Sequence, residues 1–169
     1  MFKKDKYNDL SIRELQVVAT FCVAKYCSNF NLKHDCIEEY LLHHLSIIFT
    51  ENLLEWENKG KIINITGRGD YLPDDFITCI DTKRIKEFDI ITQYSTEVGI
   101  TNLFGCHDTE PLNFLLKVIN ILKKHNIEIP SLKSIFININ RELDSNSHWG
   151  NIVSELEYNE IKENLFQMI

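Results

Sequence analysis

The stretch DCIEEYLLHHLSIIFT, residues 35–50, decides how this chain should fold. On a helical wheel Cys36, Ile37, Tyr40, Leu41, Leu42, Leu45, Ile47, Ile48 and Phe49 cover nearly the whole circumference. Only Asp35, Glu39, His43, Ser46 and Thr50 form a narrow polar stripe. A helix that is apolar almost all round must be buried on most sides, so this segment reads as the central helix of a bundle. Glu51 and Glu55 fall opposite the stripe. That break predicts a kink near Thr50 and a separate exposed turn or short helix over residues 51–58.

Toward the N-terminus, Ser11-Ile12-Arg13-Glu14 has the spacing of a capping box. Ile12, Leu15, Val18, Ala19, Cys22, Val23, Tyr26 and Phe30 then recur on one side at helical period, while Glu14, Gln16, Thr20 and Lys25 fall elsewhere. Toward the C-terminus, Gly60 suits a helix end, residues 61–66 read as a short strand or extended crossing, and Gly67-Arg68-Gly69-Asp70 as a loop. Pro73-Asp74-Asp75 carries first-turn chemistry for a short helix to about Ile80. Longer helices are predicted from residue 81 or 82 to about 104, and from Glu110 to His125 with Thr109 as its cap. Residues 134–140 alternate after Phe136 and read as a strand. Ser154 and Glu157 form a second capping box before a helix to about Phe166. The expected architecture is mainly α, a single domain over residues 1–169. It is a helical bundle around a buried central helix, with at most one or two short strands.

The chain has 169 residues, 44% of them hydrophobic and 25% charged, which is ordinary for a globular protein. Its net charge of −7 repels phosphate backbones, and the two basic clusters, Lys83-Arg84-Lys86 and Lys123-Lys124-His125, are short. Direct nucleic-acid binding is therefore not expected. Five cysteines leave one unpaired in any disulfide scheme, and Cys22, Cys27 and Cys36 lie in apolar helical stretches. No apolar run reaches a membrane span, and Met1-Phe2-Lys3-Lys4-Asp5-Lys6 leads into no signal segment. A reducing, cytoplasmic location is expected. Abundant Ile, Asn and Lys suggest an AT-rich, bacterial source.

His34, Cys36, His43 and His44 are close in sequence, but His43 and His44 point about 100° apart on a helix, and no CxxC or HExxH is present. Glu39 and His43 form an i,i+4 pair that reads better as an ion pair than as an acid–base couple. Adjacent Cys106-His107-Asp108 cannot readily direct a nucleophile at its base, although His148 could in principle complete a dyad with Cys106. Gly67-Arg68-Gly69-Asp70 lacks the length and lysine of a phosphate-binding loop. Trp149, in a polar loop, reads either as a binding residue or as a plug at the core edge. No metal and no cofactor are expected.

The remaining signal is electrostatic. Between Lys33 and Lys59 the chain carries Asp35, Glu38, Glu39, Glu51, Glu55 and Glu57 and no Lys or Arg. Between Arg68 and Lys83 it carries Asp70, Asp74, Asp75 and Asp81. Aromatic residues inside a single-sign field suit a protein-binding surface: the rings supply affinity and the field speeds encounter with a basic partner. Glu51, Glu55, Trp56, Glu57, Asp70, Tyr71, Asp74 and Asp75 are the expected partner-binding face.

In size, in these acidic segments and in its lack of catalytic signatures, the chain resembles the bacterial immunity proteins of contact-dependent growth inhibition and related polymorphic toxin systems. The resemblance implies a non-enzymatic inhibitor that neutralises a cognate basic toxin, a nuclease, by covering its active site with carboxylates. Two other readings stand beside it. One is an enzyme with an unfamiliar site built from Glu39, His43 and Cys106. The other is a homo-oligomeric structural or regulatory subunit using the apolar surplus of residues 35–49.

Overall fold

The computed structural model describes residues 4–105, 108–136 and 148–169. Among them lie eight α-helices and no strand. They are α1 (Ile12–Asn29), α2 (Asp35–Leu45), α3 (Leu53–Gly60), α4 (Asp74–Cys79), α5 (Thr82–Ile100), α6 (Glu110–Lys124), α7 (Leu132–Ile135) and α8 (Glu155–Phe166). The expected mainly helical bundle around a buried central helix is what forms.

The helix at the centre is α1, however, not the segment 35–50. From Ile12 to Cys27 every residue of α1 is buried except Glu14 and Lys25, and α1 packs against α2, α5 and α6. Its polar residues had argued for a solvent face, but they find partners inside. The Thr20 hydroxyl donates to the Gln16 carbonyl at 2.8 Å, and Arg13 donates to the carbonyl of Ile47. A buried polar group costs little once it is hydrogen-bonded, so residue type alone misjudged this face. The Ser11–Glu14 capping box forms in both directions and fixes where α1 starts.

Helix α2 is shorter than predicted. It gives way to a 3-10 turn over Ser46–Ile48, and α3 restarts at Leu53 with Asn52 accepting from the Glu55 amide at 3.1 Å. The expected break near Thr50 is therefore present. Helices α5 and α6 complete the core with Phe88, Ile91 and Val98 from one, and Leu115, Val118, Ile119 and Leu122 from the other. A side chain of this kind, moved from water to a dry interior, contributes about 1.5–3 kcal/mol.

Some local expectations are corrected. Thr109 precedes α6 without a side-chain cap bond; the Asp108 carboxylate accepts from the Glu110 amide at 3.0 Å instead. Residues 61–66 pair with no strand and run as turns and bends. Ser131 caps a helical turn over Leu132–Ile135, with the Ser134 amide donating to its hydroxyl at 3.0 Å, where the strand was expected to begin. Residues 137–140 of that expected strand lie outside the described residues, as do Cys106, His107 and the loop 144–147.

Arg84, Lys124 and His125 of the two basic clusters are drawn into one knot. Glu87 accepts from Lys124 at 2.6 Å and meets His125 at 2.5 Å and Arg84 at 3.4 Å. The Tyr26 hydroxyl donates to the same carboxylate at 3.1 Å. These side chains stitch α5 to the end of α6 and to α1.

Candidate functional site: a strap along the second helix

The polar stripe of α2 does not face solvent as an open row. The chain leaves α3 and runs back along that stripe toward the N-terminus of α2. Gly60 lies flush on the His43 ring, where an added Cβ would sit 2.6 Å from Nε2. One turn further, the Glu39 carboxylate accepts two bonds from Asn64, from its backbone amide at 2.9 Å and its side chain at 2.7 Å. At the start of the helix, His34 Nε2 approaches the Asp75 carboxylate at 3.5 Å. His43 and Glu39 on the stripe, and His34 at the N-cap of α2, are thus matched by Gly60, Asn64 and Asp75, across nine residues or about 14 Å. Residues 61–73 form a strap fastened along this seam.

The strap is held from below as well. Ile65 is 1% exposed, and Leu72 and Phe76 are buried, the latter against Phe88 with ring centres 4.9 Å apart. Gly67 adopts φ +63° against α5, where a Cβ would come within 2.0 Å of Thr96 Oγ1. Only glycine satisfies both the left-handed backbone and the close approach. Beside it, Arg68 donates to the Glu57 carboxylate at 2.6 Å, and Lys61 lies 3.6 Å from the other oxygen. The Thr66 hydroxyl donates to Asp70 at 2.6 Å, closing the turn.

Under the strap lies a buried polar cluster. His44 Nδ1 faces the Tyr40 carbonyl at 3.0 Å, which can only accept, so the ring carries its proton there. Nε2 then accepts from the Thr96 hydroxyl at 2.9 Å, and the Tyr40 hydroxyl donates to the Thr92 carbonyl at 2.8 Å. Burial holds the His44 pKa well below the ordinary value, and the neighbouring His43 adds to the effect. Burial also lowers His43 to about 4, helped by the Arg68 guanidinium. His43 is stacked on Trp56 at 4.9 Å and 9°, while the indole N–H donates to the His43 carbonyl at 2.9 Å.

These contacts sort the expected partner-binding residues into three groups. Asp70, Tyr71, Asp74 and Asp75 are exposed on the strap and the first turn of α4, and Tyr71 is 101% exposed. Glu51 and Glu55 are exposed too, but they belong to α3 and its approach, where Glu55 pairs with Lys59 at 2.9 Å. Trp56 and Glu57 are each only 3% exposed, which corrects their placement on a docking face. Trp56 plugs the α2–α3 junction, and Glu57 anchors Arg68. Their acidic or aromatic type gave no hint of this, because the partners that bury them, His43 and Arg68, are distant in sequence.

The structure adds Asp35 and Glu38 to the first group. Both are exposed in the first turn of α2, directly after His34, whose ring reaches Asp75. Charge pattern had marked them as acidic, but the link from α2 to α4 needed the fold.

One arrangement outside the expected set has catalytic geometry. His34 Nδ1 lies 3.0 Å from Cys36 Sγ while Nε2 faces Asp75, which is a thiol–imidazole–carboxylate chain. Its chemistry opposes thiolate formation. Burial, the Asp75 charge and further carboxylates push the Cys36 thiol up to about 12. Nδ1 also accepts from the Cys36 amide at 3.3 Å, so His34 serves as the N-cap of α2. The amides of Ile37 and Glu38 already donate to the His34 carbonyl, leaving this turn no pair of free donors for an oxyanion.

Elsewhere, the expected Glu39–His43 ion pair does not form: Glu39 accepts from Asn64 of the strap, and the His43 ring lies against Trp56 and Gly60 of α3. Trp149 is half-buried, in a turn where the His148 carbonyl accepts from the Ile12 amide at 2.9 Å. No group of three or more metal-ligating side chains occurs among the described residues. No helix among them is long and apolar enough to cross a membrane. Comparison with protein families, with curated proteins and with solved structures gives no match to this chain.

Proposed function

We propose that this protein is a binding protein of the immunity type, which captures a basic protein toxin and neutralises it by covering its active site. The observation that carries the reading is an exposed acidic run, with Asp70 on the strap, Asp74 and Asp75 at the start of α4 and Tyr71 fully bare among them, and with Asp75 tied through His34 to the turn of α2 that carries Asp35 and Glu38. Fixed carboxylates on a rigid support are complementary to the groove of a nuclease, which must be cationic to hold its substrate. The burial and neighbouring carboxylates that push the Cys36 thiol up support binding over catalysis at the same place.

The test is inhibition. A basic nuclease domain encoded beside this gene, mixed with the protein at one-to-one stoichiometry, should lose its activity on RNA or DNA. Retention of full activity at saturating protein would overturn the reading.

A further inference from the structure

Two large apolar side chains stand bare on the strap, and nothing in the fold requires either of them. Ile62 is 84% exposed and Tyr71 is 101% exposed, one near each end. An isoleucine and a tyrosine left this open are ordinary if scattered singly on a surface. These two are not on a loose loop. Between them the chain is fixed by Asn64 on Glu39, by buried Ile65, by Gly67 against Thr96, by Arg68 on Glu57 and by Thr66 on Asp70. Immobilising a loop is normally a cost of binding, and here the fold has met it in advance.

We propose that Ile62 and Tyr71 are paired anchors that dock into apolar recesses of a basic folded polypeptide, with the carboxylates around Tyr71 meeting its cations. The inference rests on the binding reading above and names the chemistry of that partner's contact surface. Charge selects the occupant. A second copy of this chain docked by a two-fold contact centred on Tyr71 would bring Asp70, Asp74 and Asp75 against their own kind, whereas a cationic surface meets them favourably. Anchors of this kind carry most of an interface's energy, and the surrounding charges set rate and register.

The experiment uses two synthetic probes of equal charge, oligolysine and an amphipathic lysine–leucine peptide, titrated into isotopically labelled protein at low salt. Both should shift the amide signals of residues 70–75. The lysine–leucine peptide should in addition shift Ile62 and bind at least five-fold more tightly. Ile62→Ala and Tyr71→Ala, which remove side chains touching little else, should each erase most of that gain while thermal unfolding stays unchanged. A gain that survives both substitutions, or that maps to another apolar surface, overturns the anchors and leaves the acidic docking face standing. Failure of both probes to shift residues 70–75 overturns the docking face itself. Concentration-dependent dimerisation abolished by either substitution would identify a second copy as the occupant and overturn the proposal.

Discussion

Helices α1 and α2 both carry polar side chains in apolar surroundings, and they dispose of them in different ways. In α1, Gln16 and Thr20 bond along their own helix and Arg13 reaches the backbone of the turn after α2, so the helix sinks into the core. In α2, Glu39 and His43 on the polar stripe, with His34 at the N-cap, are matched by a distant segment of chain. The first arrangement builds the scaffold. The second positions a surface. A polar residue in a helix therefore says little about exposure until its partner is known, and the partner's distance along the chain separates a structural role from a presenting one.

The contrast can be broken from the α1 side with the largest effect. Phe21→Ala empties a fully buried position on α1 and should cost about 3–5 kcal/mol, lowering the denaturant midpoint of the whole molecule. Arg68→Ala should cost about 3 kcal/mol, because it leaves the buried Glu57 with only Lys61, a half-exposed side chain at 3.6 Å. Its signature differs: hydrogen exchange should accelerate first in residues 61–73 while the amides of α1 and α5 remain protected. Equal loss of protection in both regions would show that the strap is not a separately held unit.

Acid should weaken the buried cluster beneath the strap. His43 and His44 are held neutral in the fold, with His43 lowered from 6.5 to about 4 and His44 well below 6.5. The unfolded chain takes up those protons near pH 6.5, so stability is greatest above that pH and declines as pH falls through the window toward 4. Each histidine contributes a slope of up to about 1.4 kcal/mol per pH unit there. Urea unfolding at pH 7, 6 and 5 would measure it, and a flat profile would contradict the buried neutral rings. The smallest expected effect comes from Asn64→Ala, about 1 kcal/mol, since Glu39 can take water in place of the lost side-chain bond.

Much of the scaffold was legible in the sequence. The capping boxes at Ser11 and Ser154, the break near Thr50 and the apolar period of α6 are local signals, and each marks an element that forms. The identity of the central helix was not legible, because an all-round apolar wheel in residues 35–50 outweighed α1, whose buried Thr20 and Arg13 bond to backbone carbonyls inside the fold. The candidate site was half readable. Asp70, Tyr71, Asp74 and Asp75 stand exposed as their composition suggested. Trp56 and Glu57 do not, because contacts across 13 and 11 residues, to His43 and Arg68, bury them. Ile62 carried no local signal at all; its exposure follows from the pinned path of the strap.

The central claim is that carboxylates fixed along α2 and α4 draw in a cationic macromolecule. Its most direct test is the association rate with the basic partner, measured over a series of ionic strengths for the native protein and for the Asp74→Lys, Asp75→Lys double variant. The native rate should fall steeply with added salt, the variant should associate several-fold more slowly at low salt, and the two should converge as screening grows. Identical rates at low salt would show that these charges play no part in encounter, and the account would fail.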